Sequence, residues 1–169
     1  MNKIKKKLET EISGLLREKY QGGICPAFIK EVIRLKKGEP LDYLIGWLPF
    51  LNCRIDLSFR PLIPRPETEY WTEKAIKIIQ KIKGRVRVAD IFSGSGCVGI
   101  AVLKNAKNAK VDFFELDKKL IKQIKLNLKT NNVPASRYRI FQGDAIKKLK
   151  NYYDFILANP PYIALKRKS

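Results

Sequence analysis

Between Val86 and Ala158 the chain switches back and forth between two hydrophobic periods, and few folds satisfy that alternation. Val86–Ile91, Lys110–Glu115, Arg137–Gln142 and Tyr153–Ala158 are apolar runs of strand length. Between them Cys97–Asn105, Asp117–Thr130 and Ala145–Lys150 carry helical patterns. The second of these opens on Asp117, a favourable N-cap, and turns Leu120, Ile121, Ile124 and Leu128 to one face. A helix between successive strands makes the strands parallel, with right-handed crossovers. The expected architecture is α/β, a Rossmann-like doubly wound sheet represented here by four parallel strands.

Loops at the carboxyl ends of such strands carry ligands. The first strand runs into Ala89-Asp90-Ile91-Phe92-Ser93-Gly94-Ser95-Gly96-Cys97-Val98-Gly99, which spells G-x-G-x-x-G between a strand and a helix. Glycines there permit a tight turn and close approach of a ligand to the helix N-terminus. Glu115 ends the second strand about 20 residues beyond Gly94, the spacing at which an acid hydrogen-bonds ribose hydroxyls and repels a 2′-phosphate. Asp144, after Gly143 at the end of the third strand, can receive an adenine amine. The fourth strand ends in Asn159-Pro160-Pro161-Tyr162. Its prolines fix two φ angles, remove two donors and hold Asn159 extended. The Asn159 side-chain oxygen and the Pro160 carbonyl can then each accept one N–H of a planar NH2 group, with the Tyr162 ring against it. Such a hook suits an amide or an exocyclic amine. Each feature has a plainer use alone, as a turn, a packing glycine or a solvated strand end. Together, Asp90, Gly94, Gly96, Glu115, Asp144 and Asn159 at the ends of four strands point to an adenosine cofactor site.

Upstream, Ile4–Lys19 and Pro26–Lys37 read as two helices, the first placing Ile4, Leu8, Ile12, Leu15 and Leu16 inward and the second Phe28, Val32, Ile33 and Leu35. Residues 1–46 form a helical cap and linker, expected to dock on the main domain, and Pro40 opens a turn or two of helix before Gly46. Residues 47–66 hold a β-hairpin turning at Leu51-Asn52 and a proline-rich loop, and 67–169 the α/β domain. A helix from Glu67 to about Lys83, with Glu67 and Glu69 in its first turn, presents Trp71, Ala75, Ile78, Ile79 and Ile82. Arg65 just before it is a loop charge or reaches into the site.

There is no histidine, which removes imidazole bases, His triads and the commonest metal ligand. Cys25, Cys53 and Cys97 are widely spaced and read as small buried residues, so neither a disulfide framework nor a metal site is expected. Thirty-five Lys and Arg against 16 Asp and Glu give a net charge of +19. That charge suits RNA or ribosome proximity, yet the lysines are scattered and no Arg-rich block localises a footprint. No apolar run approaches the roughly 20 residues of a bilayer span. The basic N-terminus leads into Glu9 and Glu11 rather than an apolar segment, so a cytoplasmic location is expected.

From Gly38 onward these stretches resemble the release-factor glutamine methyltransferases, the HemK/PrmC group. Gly38-Glu-Pro-Leu-Asp-Tyr-Leu-Ile-Gly46 is similar to the family's linker, Ile63-Pro-Arg-Pro-Glu-Thr-Glu69 to its most distinctive stretch, Asp90–Gly99 to its cofactor loop and Asn159–Tyr162 to its catalytic motif. The resemblance implies a methyltransferase sheet with S-adenosylmethionine as methyl donor, and the glutamine amide of a Gly-Gly-Gln loop in peptide chain release factors as acceptor. Phe92, Ser93, Gly94, Ser95 and Gly96 would then line the methionine part of the cofactor and Glu115 would hold its ribose. Asn159 would touch cofactor and substrate, with Asn159, Pro160, Pro161 and Tyr162 binding the amide. Family members usually carry a small residue where Phe92 stands and a longer N-terminal helical domain. They also continue past the tetrapeptide with further strands and helices, so a truncated or split product with an open fourth strand is expected. Two other readings stay open: an N6-adenine methyltransferase of DNA or RNA, and a non-catalytic nucleotide- or RNA-binding remnant. An NAD oxidoreductase is disfavoured by the donor-free hook and by the lack of any histidine to serve as catalytic acid.

Overall fold

The computed structural model describes residues 2–149 and 152–160. The chain divides into two compact units, Met1–Leu48 and Pro49–Ser169.

In the first unit α1 (Asn2–Tyr20), α2 (Pro26–Lys36) and α3 (Leu41–Ile45) close around Leu15, Phe28, Leu35 and Leu44. Leu8, Ile12, Leu16 and Val32 pack partly buried against that core. Glu31 binds α2 to α1, accepting from Lys19 Nζ at 2.7 Å and Tyr20 Oη at 2.8 Å. Ile4 and Ile33 face solvent instead of the core, at 80% and 49% exposure. Three short helices enclose a narrow volume, and apolar positions at the margin of the stripe fall outside it.

The second unit takes in the hairpin of β1 (Trp47–Phe50) and β2 (Cys53–Asp56), whose division from the first unit falls inside β1. Leu51 and Asn52 make the turn with φ of 43° and 65°, the paired positive values of a two-residue hairpin. After it come α4 (Pro66–Lys81), β3 (Val86–Ile91), α5 (Cys97–Asn105), β4 (Ala109–Glu115), α6 (Lys118–Thr130), a 3-10 turn at Ala135–Arg137, β5 (Tyr138–Gln142), α7 (Ala145–Lys148) and β6 (Phe155–Ala158). The four later strands form one parallel sheet in the order β5-β4-β3-β6. The chain steps outward from β3 to β4 to β5 and then returns to the other side of β3. Strand order therefore reverses between β3 and β6, which opens a crevice at their carboxyl ends.

One face of the sheet carries Val88, Asp90, Val111 and Phe113 towards α5, and the other carries Ala89, Ile91, Phe114 and Phe141 towards α7. Gly99 lets α5 lie close: a Cβ there would stand 2.9 Å from Asp90 Oδ2 and 2.8 Å from Phe113 Cζ. The buried face of α4 differs from the expected one. Thr68, Thr72, Ala75, Ile76 and Ile79 are buried, whereas Ile78 is 55% and Ile82 39% exposed and Trp71 is half-buried. The helix absorbs the Thr72 hydroxyl itself, Oγ1 donating to Thr68 O at 2.6 Å, and the Thr68 hydroxyl takes a side chain from outside the helix, accepting from Asn159 Nδ2.

The inner face of α6 adds polar groups to the expected apolar ones. Gln123, Asn127 and Asn131 are all buried. Asn131 accepts from Arg54 N at 3.0 Å and donates to Arg54 O at 2.8 Å. Asn127 accepts from Asp56 N and donates to Asp56 O and Ser95 O. Gln123 accepts from Phe59 N at 2.8 Å. The outer edge of β2 is thus paired with side-chain amides in place of a neighbouring strand. Cys53 and Cys97 are buried and free, while Cys25 is only half-buried.

Candidate functional site

The crevice between β3 and β6 is a cleft of about 740 Å³. Its floor is the loop after β3. Phe92 lines it in the left-handed conformation (φ 57°), with its ring 41% exposed. Ser93, also lining, stitches the two strand ends together: its hydroxyl donates to Asp90 O at 2.7 Å and accepts from Phe114 N at 3.0 Å, and its N–H donates to Phe114 O. Gly94 donates its N–H to Glu115 Oε2 at 2.8 Å. Glu115 Oε1 meanwhile accepts from Asp117 N, so this one carboxylate holds the glycine loop to the end of β4. A carboxylate has about four acceptor positions, and two remain for a ligand.

Ser95 and Asp90 line the cleft from within the protein, each 2% exposed. Asp90 Oδ2 accepts from Gly99 N in the first turn of α5 at 2.9 Å. Burial pushes its carboxyl up to about 8; the Gly99 N–H opposes the shift and the Glu115 charge adds to it. Gly96 is the one residue of the expected set within the described chain, Pro160 aside, that does not line the cleft. It turns the chain into α5 at φ 78°, and a Cβ on it would press Ile100 Cδ1 at 3.2 Å and Ile124 Cγ1 at 3.3 Å. Its contribution is to let the loop settle onto α6.

Asp144 lines the far side and caps α7, accepting from Ile146 N at 2.9 Å. Asn159 closes the near side. Its Nδ2 donates to Thr68 Oγ1 at 3.3 Å, which leaves Oδ1 as an acceptor. Thr68 is 4% exposed and sits in the first turn of α4. The hydrogen bond joins two stretches 91 residues apart in the chain, the Pro-Arg-Pro-Glu-Thr-Glu segment and the tetrapeptide. Pro160 is exposed, and Pro161 and Tyr162 lie outside the described residues. Arg65 stays a loop residue: it is exposed, does not line the cleft, and its carbonyl accepts from Thr68 N at 2.9 Å.

Sequence reasoning missed Thr68 and the apolar walls. Leu62 and Pro64 from the proline-rich loop, Leu116 and Leu120 beside Glu115, and Ala145 and Ile146 of α7 all line the cleft. Leu116 and Ile146 are 71% and 76% exposed, large apolar residues left open at its rim. The helical pattern puts Leu120 on the inner face of α6, and it lines the cleft instead; for the others the only signal is position close to a residue already singled out.

The electrostatics are lopsided. Glu115, Asp117 and Asp144 line the cleft beside Asp90, whose raised carboxyl holds its proton at neutral pH, and no Lys or Arg does so among the described residues of a chain with net charge +19. Phosphates are therefore disfavoured and a cation with hydroxyl donors is favoured. Among the described residues no group of three or more Cys, Asp or Glu is placed to hold a metal ion, and no helix is long and apolar enough to cross a membrane.

Comparison with known proteins gives the same direction. The family profile of the methyltransferase small domain matches residues 73–169. The release factor glutamine methyltransferase of Lactococcus lactis is 30% identical over 89% of this chain and 54% of its own, and that of Thermodesulfovibrio yellowstonii 36% identical over 80% and 49%. The chain spans about half the length of the curated relatives it matches. A SAM-dependent methyltransferase from Agrobacterium tumefaciens shares the fold, with a TM-score of 0.59 at 22% identity over 68% of this chain and 39% of that one.

Proposed function

As the chain belongs to the methyltransferase small domain family, whose cofactor is S-adenosylmethionine, we propose that it methylates the side-chain amide of a glutamine, in the Gly-Gly-Gln loop of a peptide chain release factor. One observation carries the reading: a cleft at the switch point lined by Glu115, Asp117 and Asp144, with no Lys or Arg among its described lining residues, closed by an asparagine whose amide is held by a second side chain. The cofactor fits the donor set. Glu115 has acceptor positions left for ribose hydroxyls, Leu116, Ala145 and Ile146 offer apolar walls to a ring, and the acidic lining favours a group bearing sulfonium and ammonium charge. When bound, the cofactor supplies an electrophilic methyl group.

The chain's own residues then have an aligning task. An amide nitrogen is a poor nucleophile because its lone pair is conjugated with the carbonyl. Two acceptors on its N–H groups, Asn159 Oδ1 and the Pro160 carbonyl, raise its electron density and fix its direction. Alignment of this kind supplies on the order of 7–11 kcal/mol. Thr68 sets which end of the Asn159 amide faces the substrate. No imidazole is needed, in keeping with a chain without histidine.

The N6-adenine alternative asks a phosphate backbone to lie at the mouth of a cleft lined by Glu115, Asp117 and Asp144, which the field of the cleft opposes. The test is transfer of labelled methyl from S-adenosylmethionine to a release factor. Label on the Gly-Gly-Gln glutamine, lost in Asn159→Ala, supports the reading. Cofactor binding without transfer to that glutamine refutes it in favour of a binding remnant.

A further inference from the structure

A second concavity, of about 610 Å³, lies at the opposite ends of the same strands. Arg85 and Arg87 enter it from the start of β3, Lys110 from the start of β4, and Arg137 and Arg139 from the start of β5. In sequence these five cations are spread over three separate segments, and the parallel sheet gathers them because it aligns all its strand starts along one edge. Two carboxylates share the space, and both are engaged. Asp112 accepts from Arg139 through both oxygens, at 2.9 and 2.6 Å, and from Tyr153 Oη at 2.7 Å. Asp154 Oδ2 accepts from Arg87 N at 2.7 Å.

The cations divide by task. Arg137 is structural, donating to the carbonyls of Leu103, Ala106 and Ala109. Arg139 is held by Asp112. Arg87 lies over the Tyr153 ring at 5.3 Å. Arg85 and Lys110 are exposed and have no carboxylate partner among the described residues. Tyr138 and Tyr153 also line the cleft, and Tyr152 beside it is 96% exposed. Arg87 and Phe114 pack on the Tyr153 ring, so the rings offered to a base are those of Tyr138 in the cleft and Tyr152 at its margin. Fixed guanidinium groups, uncommitted cations and such rings on one concave surface are what a flexible polyanion with stacking bases requires. An acidic peptide would use the charges but not the tyrosines.

We propose that this basal cleft, walled by Arg85, Arg87, Lys110 and Arg139 with Tyr138 and Tyr153, binds the backbone of single-stranded nucleic acid. Along β3 the two linings approach no closer than Arg87 and Asp90, three residue steps or about 10 Å apart, and they open at opposite ends of the sheet. The strand is therefore held as an anchor, away from the methyl-transfer site, and the inference stands whether or not the proposed substrate is correct.

The test is fluorescence anisotropy with end-labelled 15-nucleotide uridine and thymidine strands, titrated with the full chain over a range of salt. Arg85→Ala/Lys110→Ala removes the two uncommitted charges, and Lys122→Ala/Lys125→Ala removes two exposed charges from α6 of the same unit. The first pair is expected to weaken binding roughly ten-fold and to flatten the log–log salt slope by about 1.4, two phosphate contacts at about 0.7 each. The second pair should change affinity less than two-fold, with thermal melting confirming that both variants fold. Tighter binding of uridine assigns the cleft to RNA, and equal binding to either backbone. Equal losses in the two pairs, displacement by a glutamate decamer as efficient as by unlabelled strand, or no binding by the parent chain would each overturn the proposal.

Discussion

Phe92 occupies a backbone conformation that side chains resist, and the resemblance to a family with a small residue there makes it the most informative position to change. At φ 57° a residue with a Cβ carries about 1–2 kcal/mol of steric cost that glycine does not. Glycine also loses more conformational freedom on folding, which costs about 0.5–1 kcal/mol relative to alanine. Phe92→Gly and Phe92→Ala both delete the ring, so its partial burial cancels between them. The difference left is backbone strain less chain entropy, about 0.5–1 kcal/mol in favour of glycine. The usual order of the two residues in a folded segment is thereby inverted. In urea unfolding the glycine variant should be the more stable of the pair, and in thermal unfolding it should melt about 2 °C higher, at the 2–4 °C per kcal/mol of a chain this size. If the alanine variant is equally or more stable, the left-handed turn is not imposed by the fold and the argument fails. A second readout concerns the cleft: Phe92 lines it, so the glycine variant should bind S-adenosylmethionine more tightly if the ring crowds that space.

Three further outcomes follow from particular contacts. Asp90 has its carboxyl raised to about 8 by burial, so the native state holds a proton that the unfolded chain releases near pH 4. Stability from this group is complete below about pH 4 and is lost as pH rises towards 8; Asp90→Asn should flatten the melting temperature across that window while the parent chain declines. Asn127→Leu strips three hydrogen bonds, two from the half-buried backbone of Asp56 and one from the buried Ser95 carbonyl, and should cost about 3 kcal/mol in urea unfolding. Thr68→Val should lower kcat for methyl transfer about five-fold, one neutral hydrogen bond of about 1 kcal/mol, with cofactor affinity unchanged and activity restored by Thr68→Ser; an unaltered kcat would show that the Asn159 contact does not orient the amide.

What could be read from the residues in advance was what depends on local pattern. Strand β3 and helix α5 run between the predicted residues, Asp117 caps α6 through Lys119 N at 2.7 Å, and Leu51-Asn52 turns the hairpin. Ends drifted where neither cap nor proline marked them: α7 stops at Lys148 and β6 starts only at Phe155. The misread face of α4 has a physical origin. Periodicity weighs Ile78 and Ile82 as core and Thr68 and Thr72 as surface, but burying a threonine costs little when its hydroxyl has a partner, the preceding turn for Thr72 and Asn159 for Thr68. The buried amides of α6 were invisible for a related reason, because polar residues at inward positions make sense only once the strand they pair with is known. Likewise, a footprint was sought as one basic block, whereas the sheet builds it from the starts of separate strands. In the candidate site, the glycine loop, Glu115, Asp144 and Asn159 were legible as strand-end residues; Thr68 was not, since its role lies in a contact across 91 positions.

The amides of α6 also set a length on the hairpin they cover. Four helical residues advance about 6.0 Å and two strand residues about 6.7 Å, so helix and strand behave like the two scales of a vernier. Asn131 meets Arg54 and Asn127 meets Asp56 in step, and β2 ends there; carried on to a third mark the scales would have parted by about 1.4 Å over two intervals. At that mark the helix carries glutamine, one methylene longer, and it bonds Phe59 N in the turn that follows the strand. The mismatch grows by about 0.7 Å at every mark, so side-chain amides can seal only a strand a few residues long.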